Sequence, residues 1–248
     1  MLRWGWLSVV LVLAGCSATT APPAPVPVRS TAAASEVAGA PGDAVGEQSV
    51  VHLAGVAPSC VKKIEGTGFV YAPQRVVTPA HVVAGVRPVS VRVTAADGEV
   101  YKGRVVAFDP DVDVAVLYVP DLPAPALWLD VPGGSLGGAR LLGYPKRAKG
   151  VVAQPVEILD RFEAEGPDIY KRRQVTRTVL ELAFDVRPGI SGAPLLVEGG
   201  TVAGMVVAAT KQDPKRGYAL AAEEILPIAK RAAKATKHVS TRKCDAGP

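Results

Sequence analysis

The chain reads RPGISGAP at residues 187–194, a serine between two glycines. Glycine adopts backbone conformations that other residues avoid, so Gly189 and Gly192 permit a tight loop that exposes the Ser191 hydroxyl and turns backbone N–H groups inward. This arrangement suits a nucleophilic serine. The same pattern is also typical of an ordinary turn, so the interpretation depends on partners for Ser191 elsewhere in the chain.

A nucleophilic serine needs a base to accept its proton. Of the three histidines, His52 lies within a Val-rich run and His238 lies in a basic tail. His81 lies in VVTPAHVV, residues 76–83, where a strand-like run gives way to a turn. His81 is therefore the candidate base.

The base in turn needs a carboxylate to orient it. The sequence FDPDVDVAVL at residues 108–117 places three carboxylates before an apolar strand. Asp109 and Asp111 flank a proline, as turn residues do. Asp113 directly precedes the strand, where it can be desolvated and hydrogen-bonded to an imidazole. Asp113 is therefore the candidate acid.

Short strand-like runs separated by Gly and Pro surround these three sites. They fall at residues 50–56, 68–71, 89–94, 100–107, 112–119, 140–143, 151–159, 175–184, 193–197, 202–209 and 218–221. About a dozen short strands with turns between them predict an all-β sandwich or barrels. Only the end of the chain predicts a helix, with Glu223 and Glu224 at its start and Lys230 and Arg231 near its finish.

Composition limits the class of function. The chain has 248 residues, 48% of them hydrophobic, which suits one large β domain or two small ones. The net charge is +5, but the basic clusters at residues 146–149, 171–173 and 230–231 are short and scattered. We therefore expect no nucleic-acid partner.

The first residues predict export. Arg3 precedes an apolar run, Trp6 to Leu13, which is too short to span a bilayer permanently. The following Leu13-Ala14-Gly15-Cys16 resembles the lipobox of bacterial lipoproteins, which implies a signal peptide at 1–15 and a diacylglycerol on Cys16. An ordinary secretory signal is the alternative. Residues 16–48 are rich in Ala and Pro and predict a disordered tether.

Two cysteines then remain, Cys60 and Cys244. An even pair in an exported chain predicts a disulfide, and two free thiols are the alternative.

The three sites together resemble the trypsin-like (chymotrypsin-fold) serine proteases, most closely the bacterial HtrA-type branch. The matching strings are GTGFV at 66–70, TPAHV at 78–82, DVAVL at 113–117 and PGISGAP at 188–194. The order His, Asp, Ser is that of this family. Within it, FDPDVD at 108–113, GPDIY at 166–170 and GYAL at 217–220 resemble the periplasmic acid-resistance serine proteases of actinobacteria. That group carries N-terminal membrane helices, which a lipid anchor would replace here.

The resemblance implies two six-stranded antiparallel β-barrels, at residues 49–128 and 129–222, followed by a short C-terminal helix and tail at 223–248. His81, Asp113 and Ser191 would form the catalytic triad in the cleft between the barrels. The N–H groups of Gly189 and Ser191 would form the oxyanion hole, and no metal or cofactor is required.

Two further residues bear on rate and specificity. Ile190 stands where the family usually has Asn or Asp, so Ile190→Asn is expected to raise kcat, unless the apolar side chain is packed productively. Asp185 lies six residues before Ser191, the position at which trypsins carry the acidic residue of the primary specificity pocket. Its alternative role is an ion pair with Arg187.

The predicted function is that of a membrane-tethered, extracytoplasmic serine endopeptidase, facing the periplasm or cell wall and cleaving proteins or peptides of the cell envelope. An inactive protease-like module that binds peptides is the main alternative. A lipoprotein esterase is a third reading, although its usual fold and residue order differ.

Overall fold

A computed structural model describes residues 41–87, 91–130, 136–210 and 213–244. Twelve strands lie in these ranges: β1 Val50–Ala57, β2 Lys62–Ala72, β3 Arg75–Thr78, β4 Val91–Thr94, β5 Val100–Asp109, β6 Val114–Tyr118, β7 Gly137–Gly143, β8 Val152–Pro167, β9 Gln174–Ala183, β10 Pro194–Leu196, β11 Val202–Ala209 and β12 Arg216–Ala221. The same ranges hold three α-helices: α1 Pro41–Gln48, α2 Ala80–Val83 and α3 Ala222–Ala232. The predicted signal peptide, Cys16 and residues 17–40 of the predicted tether lie outside the described residues.

The first six strands close into an antiparallel barrel in the order β1-β2-β3-β6-β5-β4. Valine and leucine side chains alternate inward along these strands and fill the barrel, among them Leu53, Val76, Val93 and Leu117, all fully buried. β-Branched side chains pack well on a pleated, half-buried surface, and this explains why a chain with so few aromatics builds this core.

The last six strands form a second antiparallel sheet in the order β7-β8-β9-β12-β11-β10. Its ends meet where Leu195 of β10 pairs with Leu141 of β7. Its longest element is the β8–β9 hairpin, whose pairing continues to Pro167 and Gln174. The sequence predicted that β8 would end at residue 159. That expectation was wrong, because the outer part of β8 is largely exposed and polar and lacks the apolar run by which strands are recognised.

The predicted all-β class with a C-terminal helix is confirmed in its main features. One expectation fails at residues 41–48, the end of the predicted disordered tether, which form α1. A tertiary contact accounts for the difference: Gly46 is buried so tightly that a Cβ there would lie 2.9 Å from a Leu142 methyl. The Ser49 hydroxyl donates to the Val45 carbonyl at 2.8 Å and closes the end of the helix. None of the helices in the described ranges is long and apolar enough to cross a membrane.

Helix α3 connects the two sheets. Its buried side chains, including Ile225 and Ile228, share one apolar cluster with Phe69 of β2 and Met205 of β11. The first barrel also satisfies carbonyl groups at the end of the helix. The Tyr71 hydroxyl donates to the Ala229 carbonyl at 2.9 Å, and the Arg75 Nε donates to the Ala232 carbonyl at 3.3 Å. These bonds supply partners that the last turn of a helix lacks.

After α3 the chain returns to the first barrel. The Val239 N–H donates to the Val105 carbonyl at 3.0 Å, and the Thr241 hydroxyl donates to the Val86 carbonyl at 3.0 Å. This path ends at a disulfide between Cys244 and Cys60, whose Cα atoms are 6.2 Å apart. The bridge predicted from the sequence is therefore present in the structure.

We expect Cys60→Ser/Cys244→Ser to lower the free energy of unfolding by up to about 5 kcal/mol. The bridge joins residues 184 positions apart, and a loop this long restricts the unfolded chain strongly. Urea unfolding of the purified protein measures the change. Reduced wild type is the control and should match the variant. Equal stability of oxidised wild type and variant would contradict the prediction.

Candidate active site

The structure brings together the predicted base and the predicted acid. His81 lies in α2, a single helical turn that begins directly after Pro79. The Asp113 carboxylate lies 2.7 Å from the His81 Nδ1 and also accepts the His81 backbone N–H at 2.9 Å. The second bond uses one of the N–H groups that the first turn of a helix leaves without a partner. Two contacts thus fix both the ring and the backbone of His81 against one carboxylate.

This contact makes His81 a stronger base. Burial by itself lowers the pKa of the His81 imidazole, and Lys62 lowers it slightly more. The charge of Asp113 and its hydrogen bond outweigh both, so the pKa is raised above its ordinary value. The imidazole remains 37% exposed, and the Asp113 side chain is only 10% exposed. The carboxylate is therefore shielded, while the imidazole is accessible from solvent.

The loop that carries Asp113 is held by both sheets. Asp113 itself has a left-handed backbone, with φ +67°, which is unfavourable for a residue with a Cβ. Within the loop, Asp109 accepts the N–H groups of Asp111 and Val112 at 3.1 and 3.2 Å.

The β8–β9 hairpin also contacts this loop. The Arg177 Nε donates to the Asp111 carbonyl at 2.7 Å. The neighbouring Pro110 carbonyl accepts the Ile169 N–H at 3.2 Å. The strained conformation of the acid thus rests on surroundings that include the second sheet.

The third predicted residue, Ser191, lies in a loop that packs on strand β2. Its carbonyl accepts the Thr67 N–H at 2.8 Å. Gly66 separates this serine from α2: a Cβ on Gly66 would lie 2.7 Å from a Val82 methyl and 3.3 Å from the Ser191 carbonyl oxygen. Ser191 and Val82, the residue after His81, therefore both lie next to Gly66 of β2.

Gly192 makes this close approach possible. It has φ +96°, and a Cβ there would lie 1.8 Å from the Thr67 carbonyl oxygen and 3.0 Å from the Pro79 Cδ. Only a residue without a side chain fits between strand β2 and the segment that leads into α2.

The predicted oxyanion donors belong to a loop whose peptide planes are fixed. The Pro188 carbonyl accepts the Lys146 N–H at 2.7 Å, and the Gly189 carbonyl accepts the Thr67 hydroxyl at 2.8 Å. A trans peptide points its C=O and N–H in opposite directions. The Gly189 N–H therefore points away from Lys146.

Ile190 is packed in the core of the second sheet. Its side chain is 5% exposed and belongs to a cluster that includes Leu182 and Leu195. An asparagine there would place an amide among apolar side chains, at a cost of about 1–3 kcal/mol if it found no partner. The structure thus shows the productive packing that the sequence left as the alternative to a gain in kcat.

Asp185 forms the ion pair that the sequence offered as its alternative role. Its carboxylate accepts the Arg187 guanidinium at 2.7 and 3.0 Å, and its side chain is 62% exposed. Because a specificity pocket of the trypsin type needs a shielded carboxylate, the structure gives no support to a substrate-binding role for Asp185.

Within the described part of the chain, no three His, Cys, Asp or Glu side chains cluster closely enough to hold a metal ion.

Comparison with known proteins places this geometry in a family. Residues 66–205, which contain His81, Asp113 and Ser191, match the model of the trypsin-like peptidase domain. The chain belongs to the trypsin-like serine peptidase family. It is 42% identical over 181 residues to the serine protease Rv3671c of Mycobacterium tuberculosis, an alignment that covers 72% of this chain and 45% of that protein. The chain thus spans less than half the length of this relative.

Solved structures agree with this assignment. The crystal structure of the active form of the M. tuberculosis Rv3671c protease superposes with a TM-score of 0.77 at 41% identity, covering 82% of this chain and 88% of that chain. The crystal structure of its inactive form superposes with a TM-score of 0.67 at 39% identity, covering 77% of this chain and 92% of that chain. The HtrA-type protease AlgW shares the fold, with a TM-score of 0.63 at 20% identity. The superposition covers 78% of this chain and 62% of that chain. The predicted resemblance to the trypsin-like proteases is confirmed, and the resemblance to the HtrA-type branch is confirmed at the level of the fold.

Sequence reasoning missed two contributors to the site. Thr67 was noted only as part of the GTGFV string, and nothing local shows that its hydroxyl contacts the serine loop. The contact of the β8–β9 hairpin with the acid loop was missed as well: GPDIY was noted only as a family string and residues 175–184 only as a strand, although Ile169 and Arg177 contact the acid loop. Both contacts join residues more than 50 positions apart, which no local pattern records.

We expect Gly192→Ala to abolish labelling of Ser191 by a fluorophosphonate and to destabilise the protein by several kcal/mol. The added Cβ collides with the Thr67 carbonyl and must displace the serine loop. Gly199→Ala is the matched control, because Gly199 also has a positive φ, +84°, but open space around its Cβ position. In that control the free energy of unfolding should fall by only about 1–2 kcal/mol, and labelling should be complete. Similar losses in both variants, measured by urea unfolding and labelling, would contradict the steric argument.

Proposed function

We propose that this chain is a serine endopeptidase that uses Ser191 as nucleophile, His81 as general base and then acid, and Asp113 as the residue that orients His81. The observation that carries the proposal is the 2.7 Å contact between the His81 Nδ1 and a nearly buried carboxylate. An imidazole held in this way keeps its Nε2 unprotonated to accept the serine proton. The superposition with the active form of Rv3671c, better than with its inactive form, further supports catalysis.

In the proposed reaction Ser191 attacks the peptide carbonyl while His81 takes its proton. The Asp113 carboxylate stabilises the imidazolium that forms. The N–H groups of Gly189 and Ser191 donate to the oxyanion of the tetrahedral intermediate. His81 then returns the proton to the leaving amine, and water hydrolyses the acyl-enzyme by the same steps. We also infer that the second sheet is the second barrel of the two-barrel fold, which the pairing of β10 with β7 supports.

Substitutions of the triad test the activity. Ser191→Ala and His81→Ala should each reduce peptide cleavage by several orders of magnitude, because the members act as a unit. Asp113→Asn should keep the fold and lower kcat about 10⁴-fold, since the amide favours the wrong imidazole tautomer. The controls are Asp111→Asn, at a neighbouring carboxylate of the same loop, and Ser240→Ala, at an exposed serine of the tail that follows α3, and both should cleave and label normally. With decreasing pH, activity should fall as His81 becomes protonated, with a midpoint above the ordinary imidazole pKa of about 6.5.

The outcomes separate the competing functions. Fluorophosphonate labelling that disappears in Ser191→Ala supports catalysis, and cleavage of esters without cleavage of peptides would favour the esterase. Binding of peptides with neither labelling nor cleavage would favour the inactive binding module.

We propose further that the peptidase is exported and anchored by a lipid on Cys16, where it would act on protein or peptide substrates of the cell envelope. The sequence around Cys16, an apolar run ending in Leu-Ala-Gly-Cys, supports this location. The disulfide of the catalytic domain is also typical of oxidising compartments.

The anchor can be tested separately from the activity. In cells fed an alkyne-tagged fatty acid, the full-length chain should acquire the tag and sediment with membranes, and Cys16→Ala should do neither. Cys60→Ser is the control for loss of a cysteine and should still acquire the tag. A Cys16→Ala variant that remains tagged would exclude this residue as the anchor.

A further inference from the structure

The Thr67 hydroxyl lies where the first barrel meets the serine loop. Thr67 is fully buried in β2 and makes four hydrogen bonds. Its N–H donates to the Ser191 carbonyl at 2.8 Å, and its carbonyl accepts the Thr78 hydroxyl at 2.8 Å. Its own hydroxyl donates to the Gly189 carbonyl at 2.8 Å and accepts the Tyr144 N–H at 3.0 Å. One side chain thus joins two segments of the second sheet.

These two segments together determine the direction of the Gly189 N–H. Segment 144–146, which directly follows β7, supplies the Lys146 N–H that holds the Pro188 carbonyl at 2.7 Å. The Thr67 hydroxyl accepts the N–H of Tyr144, the first residue of this segment. It also donates to the Gly189 carbonyl, which belongs to the peptide that follows Gly189. Both peptide groups that flank Gly189 are therefore anchored, one directly by Thr67 and the other through the segment that Thr67 binds.

Gly189 depends on these anchors because its backbone is permissive. It has φ +95°, and a Cβ there would lie 2.5 Å from the Tyr144 carbonyl oxygen, so no bulkier residue could stiffen this position. Glycine rotates between conformations at little cost, and rotation of the Pro188–Gly189 peptide would turn its N–H away from the substrate.

We propose that Thr67 is a positioning residue that holds the Gly189 N–H in the orientation needed to bind the oxyanion. The inference rests on the proposed peptidase activity and adds to it a residue outside the triad and the oxyanion hole. Thr67 does not touch the reacting atoms, and its hydroxyl acts through the peptides on either side of Gly189.

Thr67→Val tests the role because valine keeps the shape of threonine and removes only the hydroxyl bonds. Fluorophosphonate labelling carried to completion counts the competent serines, and kcat is then expressed per labelled site. We expect kcat per site to fall about 10- to 100-fold and KM to change by less than about twofold. An oxyanion donor lost outright costs about 10²–10³-fold in kcat, so a donor that is only misoriented should cost less. The labelling rate should fall in parallel, since the phosphonyl oxygen occupies the same hole.

Two further variants separate positioning from packing. Thr67→Ser keeps the hydroxyl and should restore kcat to within about threefold of wild type. Thr241→Val removes another buried hydroxyl bond, to the Val86 carbonyl, and should leave kcat per site unchanged. Should Thr67→Val fail to fold, Thr67→Ala replaces it, with hydrogen exchange of residues 187–193 as a second measurement.

The outcomes distinguish the inference from the function on which it rests. If wild type neither labels nor cleaves, the proposed peptidase activity fails and the role of Thr67 fails with it. If wild type is active and Thr67→Val keeps its kcat per site, or Thr67→Ser is as slow as Thr67→Val, the positioning role alone is overturned. Equal hydrogen exchange of residues 187–193 in wild type and Thr67→Ala would overturn it as well.

Discussion

The contact between strand β2 and the serine loop is the constraint on which the rest of the site depends. The loop approaches β2 so closely that the Ser191 carbonyl accepts a hydrogen bond from the strand and no Cβ fits on Gly192. Strand β2 belongs to the first barrel and the loop belongs to the second sheet. Their contact therefore sets the position of Ser191 relative to His81, which lies on the first barrel. A displacement of one sheet against the other would therefore disrupt the hydrogen bond between Thr67 and Ser191.

Three other connections keep the two sheets in that relation. Helix α3 buries its apolar face in a cluster shared by both sheets, and Arg75 of the first barrel satisfies a carbonyl at its end. The tail that follows α3 returns to the first barrel and ends at the Cys60–Cys244 bridge. The β8–β9 hairpin reaches the loop of Asp113 through Arg177. Because these connections lie at separate places, each opposes a different relative motion of the two sheets.

The site combines apolar and polar means of support. Ile190 holds the serine loop by packing its apolar side chain in the core of the second sheet. Thr67 holds the same loop through hydrogen bonds of its buried hydroxyl group. Buried hydrogen bonds of this kind are costly to break, because the groups left behind cannot turn to solvent. This combination allows a loop built from two glycines to keep one conformation.

Sequence patterns alone predicted the all-β class, most of the strands and the three residues proposed for the triad. These follow from local signals: valine-rich runs separated by Gly and Pro, turn residues, and a serine between two glycines. Local signals did not reveal helix α1 or the role of Thr67, since each depends on groups distant in the chain. They also missed the outer half of β8, which lacks an apolar run. The sequence left open whether Ile190 is packed in the core and whether Asp185 pairs with Arg187, and the three-dimensional contacts answered both questions. A residue's burial and its hydrogen-bond partners are set by how the sheets pack, and the pattern of neighbours along the chain does not record that packing.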